Sequence, residues 1–113
     1  MTGGASAKRK GTYAERVVQK YLEARGWVCV RAWSSIGPWD VLGLHPGLPP
    51  IMVQVKSGAT GAYIRPAERA ALLKMAHRAG ARPVLAYYPR KGGRPIEWSQ
   101  LVNMAEYGEW SPE

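Results

Sequence analysis

Sixteen Lys and Arg against eight Asp and Glu give this 113-residue chain a net charge of +8, which favours a polyanionic partner, most simply nucleic acid and secondarily an acidic membrane surface. The length and the 46% apolar content fit one soluble domain with a modest core. No apolar run approaches the roughly 20 residues of a membrane span, and a single cysteine, Cys29, excludes internal disulfides and cysteine-based zinc clusters.

The segment M-T-G-G-A-S-A-K-R-K-G is small, polar and basic, without periodicity, and is expected to form a flexible arm over residues 1–11. No apolar stretch follows its basic residues, so no secretory leader is expected, and the cytoplasm is the expected compartment. Thr12 is placed to cap a helix in which Ala14, Val17, Val18, Tyr21, Leu22 and Ala24 form an apolar stripe that stops at Gly26. Glu15 lies at the border of that stripe. As an anion in the first turn it suits the helix dipole, and it could equally lean toward a site on the neighbouring sheet. W-V-C-V-R-A-W over residues 27–33 reads as a first strand with Cys29 buried in it. The loop Ser34-Ser35-Ile36-Gly37-Pro38 follows. Its serines either satisfy loop backbone groups or meet a phosphate.

Residues 39–57, W-D-V-L-G-L-H-P-G-L-P-P-I-M-V-Q-V-K-S, are two apolar runs around a Gly- and Pro-rich turn, which predicts a β-hairpin. Alternation puts Asp40 on one face with Leu42 and Leu44, and Gln54 and Lys56 on one face with Met52. An Asp, an amide and an ammonium aimed alike from adjacent strands can hold a hydrated divalent cation against a phosphate; the plain alternative is an Asp40–Lys56 ion pair at the sheet edge. Pro66 opens a second helix that closes at Gly80. Leu72, Leu73, Met75 and Ala76 are expected inward, and Arg65, Arg69, Lys74 and Arg78 outward; His77, with no partner at ligand spacing, is given no chemistry. Residues 83–88 read as a strand parallel to that of Gln54 through a βαβ crossover. The turn P-R-K-G-G-R-P (89–95) carries three cations, and residues 96–98 return as a short strand. Ser99 is placed to cap a last helix through Glu106, with a fraying tail at 107–113. The expected fold is thus a single α/β domain over residues 12–106, a central mixed sheet of about five strands flanked by helices. No Gly-rich phosphate loop of the nucleotide-hydrolase type is present.

The order of helix with an early Glu, strand, strand with Asp, strand with Q-x-K, helix and strand resembles the PD-(D/E)xK nuclease superfamily, with its restriction-endonuclease-like core. More narrowly, K-R-K-G-T-Y-A-E-R, Y-L-E-A-R-G-W, V-R-A-W, P-W-D-V-L and V-Q-V-K-S resemble the archaeal-type Holliday junction resolvases over roughly residues 8–90. The resemblance implies a homodimeric, metal-dependent endonuclease that resolves four-way DNA junctions by paired symmetric cuts. Glu15, Asp40, Gln54, Lys56 and Ser35 are the implied catalytic residues. Mg²⁺, with Mn²⁺ as a substitute, would sit on Asp40, Gln54, the Val55 carbonyl and Glu15. DNA contacts would fall on Lys8, Arg9, Lys10, Arg16, Ser34, Arg65, Arg69, Arg90, Lys91 and Arg94. Exposed aromatics such as Trp98 or Trp110 are candidates for the dimer interface, which the sequence itself does not place. Trp39 separates Pro38 from Asp40, and Gln54 stands where the superfamily usually has a carboxylate, a change that lowers metal affinity and leaves the oxygen donor. Another nuclease of the superfamily, or a DNA-binding module without a metal, are the alternatives.

Overall fold

The computed structural model describes residues 3–32, 37–58, 61–89 and 93–113, with side chains described from Thr12 onward. In chain order come α1 (Gly3–Glu23), β1 (Val28–Arg31), β2 (Val41–Leu44), β3 (Ile51–Ser57), α2 (Pro66–Ala79), β4 (Arg82–Tyr88), β5 (Glu97–Leu101) and β6 (Tyr107–Glu109). The six strands form one sheet in the order β1-β2-β3-β4-β5-β6. Every neighbouring pair is antiparallel except β3 and β4, which run parallel across the α2 connection. This is the expected mixed-sheet α/β domain with a sixth strand added.

The alternation of side chains along the strands divides the core into two layers. Val41, Ile51, Val53, Val84 and Ala86 pack with Val18 and Leu22 of α1 and with Trp27. Met52, Leu85, Leu101 and Leu42 turn the other way, onto Leu72 and Ala76 of α2. Both helices end with a glycine in the left-handed region, Gly26 at φ +91° and Gly80 at φ +67°. In each case the next residue donates back across the turn, Trp27 to Leu22 O and Ala81 to Ala76 O, so the final carbonyls are satisfied as the chain turns into a strand. Gly43 has a different reason to lack a side chain: a Cβ there would lie 2.8 Å from Ile51 Cγ1 and 3.2 Å from the Trp27 ring.

Helix α1 begins at Gly3 and carries Thr12 inside it, so the backbone is helical through the segment expected to be an arm. Ala, Lys and Arg in that segment are good helix formers, Gly3 and Gly4 fall in the first turn, and Gly11 inside the helix costs only about 1 kcal/mol. Val28 and Val30 are exposed (63% and 51%), because β1 is the outermost strand, and Cys29 between them is only half-buried. Met75, expected inward, is 41% exposed.

The carboxy-terminal segment differs most from expectation. Ser99 lies in β5, paired with Glu109 of β6, and the predicted last helix is absent. Asn103 Oδ1 accepts from the amides of Ala105 and Glu106, and Val102 N–H donates to Glu106 O, so an Asn-centred turn reverses the chain before a helix can start. The following residues pack instead of fraying. Trp110 stacks at 5.9 Å from Trp27 and 5.4 Å from Trp98, Trp27 Nε1 donates to Pro112 O (3.2 Å), and Arg25 pairs with Glu113. The aromatic surface of Trp98 and Trp110 is thereby used within the subunit.

Candidate active site

The predicted hairpin forms with the register Val41↔Val53, Leu42↔Met52 and Gly43↔Ile51, which brings Asp40 beside the second half of β3. Asp40 N–H donates to Val53 O (2.8 Å), and Asp40 Oδ2 accepts from Val55 N–H (2.8 Å). The carboxylate thus takes over the ladder where the partner strand has run out, and this fixes its position on β3. Because N–H and C=O of one strand residue point the same way, the Val55 carbonyl lies along the same edge.

Gln54 and Lys56 share the face of Met52, as alternation requires, and that face is covered by α2. Pro66 at the first helical position and Glu68 at the third build the helix start, with Glu68 Oε1 accepting from Arg65 N–H (3.1 Å). Lys56 Nζ donates to both Glu68 oxygens, at 3.2 and 3.3 Å. Between hairpin and helix lies a cleft of about 520 Å³ lined by Gly37, Pro38, Asp40, Gln54, Ala67, Glu68 and Ala71. It lies beside the middle of β3, against the first two turns of α2, so the positive end of the α2 dipole is close to it.

Burial raises the Asp40 carboxyl above its ordinary value; the Val55 amide and the Lys56 ammonium oppose this, and the charge of Glu68 adds to it. For Glu68, burial also pushes upward, but the Arg65 amide, Lys56 and Arg65 together outweigh it and hold this carboxyl below its ordinary value. The cleft therefore contains a carboxylate that is costly to ionise beside one that is held ionised. The Asp40–Lys56 ion pair considered from the sequence gives way to a Lys56–Glu68 pair (3.2 Å).

Glu15 does not line this cleft. It rises from α1, on the other face of the sheet, and pairs with Arg31 at 3.8 Å. Burial and then the nearby charge of Asp40 raise its carboxyl, with Arg31 opposing, so it lies within the field of Asp40. Among the described residues, no three Asp, Glu, His or Cys side chains gather closely enough to hold a metal ion by themselves.

Arg16, Arg65 and Arg94 are exposed, as DNA contacts must be. Arg69 is not: it is 5% exposed, its Nε donating to Asn103 O (2.7 Å), its NH2 group to Glu106 O (2.6 Å), and its guanidinium lying 4.4 Å from the Tyr107 ring centroid. It ties α2 to the β5–β6 turn, and this corrects its expected phosphate contact. Ser34, Ser35, Arg90 and Lys91 lie outside the described residues, as do the side chains of Lys8, Arg9 and Lys10. Glu68 was not among the residues read from the sequence; its signal there was an acid at the third position after a helix-opening Arg-Pro.

A mixed sheet between two helices, with Asp40 and the Q-x-K strand at its centre, is the core arrangement of the restriction-endonuclease-like class. The family model for archaeal Holliday junction resolvase (Hjc) matches residues 6–110, and the chain belongs to that family. It is a structure-selective, junction-resolving endonuclease of a metal-dependent nuclease family, and its substrate is branched DNA. The fold is similar to that of a Holliday junction resolvase from the archaeal hyperthermophile Archaeoglobus fulgidus. The TM-score is 0.61 at 22% sequence identity, over 80% of this chain and 70% of that one. No curated protein matches the chain in sequence. None of its described helices is long and apolar enough to cross a membrane.

Proposed function

We propose that the chain resolves junctions by Mg²⁺-dependent phosphodiester hydrolysis, with Mn²⁺ as a substitute, in the cleft between the β2–β3 hairpin and α2. The observation that carries this reading is the convergence of Asp40 and Gln54 on one cleft with Lys56 beside it. The donor types fit a hard cation: the Asp40 carboxylate and the Gln54 amide line the cleft, and the Val55 carbonyl lies beside Asp40 on β3. Bound there, the cation would supply Lewis-acid stabilisation of the phosphate and activation of water. Asp40 holds its place through Val55 N–H, and Gln54 contributes a neutral oxygen. Lys56, on the cleft side of β3, positions the attacking water or neutralises charge developing on the phosphate. The N-terminus of α2 favours the same anion. Glu15, on the far side of Asp40, acts on the site through its field or through water. Ser34 or Ser35 meets the phosphate from the preceding loop.

Two matched cuts in a two-fold-symmetric junction call for two sites, and we infer a homodimer acting in the cytoplasm. The outermost strand β1 supports an interface, since it leaves Val28 and Val30 exposed beside Leu44, which is 46% exposed. Exposed cations, Arg16, Arg65 and Arg94 among them, reach backbone phosphates together with the Lys8–Lys10 and Arg90–Lys91 segments. The test is cleavage of a synthetic four-way junction in Mg²⁺, with the cut positions mapped on all four strands. Paired cuts at symmetric positions are expected, and Asp40→Asn is expected to abolish them while retaining junction binding. Undiminished cleavage by that variant would falsify the assignment of the cleft.

A further inference from the structure

The second carboxylate of the cleft sits on a helix instead of a strand. We propose that Glu68 is a metal ligand, entering the cleft from the first turn of α2 and supplying the carboxylate that β3 lacks at Gln54. This rests on the reading of the cleft as the metal site.

Asp40, Gln54 and Glu68 line the same cleft, two from the arms of the hairpin and one from the first turn of α2. With an amide at 54 the hairpin alone brings one negative charge to a divalent cation; Glu68 makes it two. The carboxylate of Glu68 is held ionised at the cleft wall by Lys56 Nζ and by Arg65 N–H. Like charges facing each other across a half-buried cleft are a cost to the fold, and Glu68 does act on Asp40 in that sense. A divalent cation between them turns the repulsion into attraction. Ligation by Glu68 would also loosen its hold on Lys56, freeing the ammonium for the phosphate or the attacking water at the moment when the site is loaded. A helix cap alone explains the bond to Arg65 N–H. It explains neither the presence of the carboxylate in the cleft nor its grip on the motif lysine.

The experiment is a Mn²⁺ titration of the full chain by calorimetry and electron paramagnetic resonance, alongside junction cleavage in Mg²⁺ and thermal melting. Glu68→Gln keeps the size of the side chain and its capping oxygen but loses the charge that pairs with Lys56, so the melting temperature should fall modestly while the chain stays folded. Site-specific Mn²⁺ affinity should fall by at least the roughly 10- to 100-fold that loss of a group merely supporting a ligand costs, and cleavage with it. Returning the carboxylate to the strand in the double variant Gln54→Glu/Glu68→Gln should restore Mn²⁺ affinity to within a few-fold of the parent. If the parent binds Mn²⁺ and cleaves but Glu68→Gln binds the ion equally well, Glu68 is a helix cap only and the proposal is overturned while the cleft assignment stands. Loss in Glu68→Gln without recovery in the double variant would also overturn it, because the defect would then lie in the helix start. A parent chain with no site-specific Mn²⁺ binding would overturn both the proposal and the metal site on which it rests.

Discussion

Arg69 offers a decisive test, because a cation on a nuclease helix invites assignment to DNA, whereas the structure buries it. Replacing it with Met keeps the apolar stem and removes the guanidinium. Two charge-assisted bonds to the carbonyls of Asn103 and Glu106 are then lost, along with the contact to the Tyr107 ring. Bonds of this type are worth about 1.5–3 kcal/mol each, and release of the guanidinium's desolvation returns part of that, so we expect a net destabilisation of about 2–4 kcal/mol. For a domain of this size that lowers Tm by roughly 8–16 °C. The assay pairs chemical denaturation with junction binding over a salt series. Each phosphate contact contributes about −0.9 to the slope of log K against log salt, so Arg69→Met should leave the slope unchanged, while Arg16→Gln or Arg94→Gln should each reduce its magnitude by about 1. A reduced slope for Arg69→Met without loss of stability would refute the structural role and return the residue to the DNA interface.

Asp40→Asn should raise stability even as it removes cleavage. The folded-state carboxyl is raised above its ordinary 3.8, so its ionisation opposes folding above that raised value and has no effect well below 3.8; the gain in Tm should be largest near neutral pH and vanish toward pH 3. Trp27→Phe loses the bond to Pro112 O, whereas among the described residues Trp98 Nε1 is buried with no partner. Phe should therefore cost about 1–2 kcal/mol more at position 27 than at 98 in urea denaturation, and the reverse order would contradict the hydrogen-bond argument. Burial, and then the charge of Glu23, push the Cys29 thiol up to about 11, so its alkylation should be slow at pH 8 and rise toward a midpoint near 11; a midpoint near 9 would show a freely solvated thiol.

Local pattern carried the hairpin, both helix ends and the parallel βαβ unit. Valines and alternation mark β3, Gly26 and Gly80 stop the helices where only a left-handed residue can, and Pro66 opens α2. What could not be read locally depends on which helix covers which face. Alternation puts Gln54 and Lys56 on a common face, but nothing in V-Q-V-K-S says that the first turn of α2, and Glu68 with it, lies over them. Glu15 reads from the sequence as an acid leaning toward the hairpin; it rises from α1 on the opposite face of the sheet, and the charge of Asp40 reaches it there. Arg69 read as surface because its partners, two backbone carbonyls more than 30 residues away, carry no sequence signature. In S-Q-L-V-N-M-A-E-Y, Ser99 suits a helix cap and Leu101 a strand equally well. Asn103 decides between them by bonding two amides downstream.

The charge balance joins the two halves of the function. The net charge of +8 favours a DNA backbone overall, but at the cleft proposed as the active site Asp40 and Glu68 repel the one phosphate that must enter. Lys56 offsets only part of that repulsion, since its ammonium is already paired with Glu68. Cation and scissile phosphate must therefore favour each other's binding. By thermodynamic linkage, the factor by which junction DNA raises Mn²⁺ affinity equals the factor by which Mn²⁺ raises junction affinity. That shared factor should shrink when Glu68 is neutralised, because the phosphate then meets less repulsion without the ion. Arg16 and Arg94 lie outside the cleft, so their loss should weaken junction binding with and without metal alike and leave the factor unchanged.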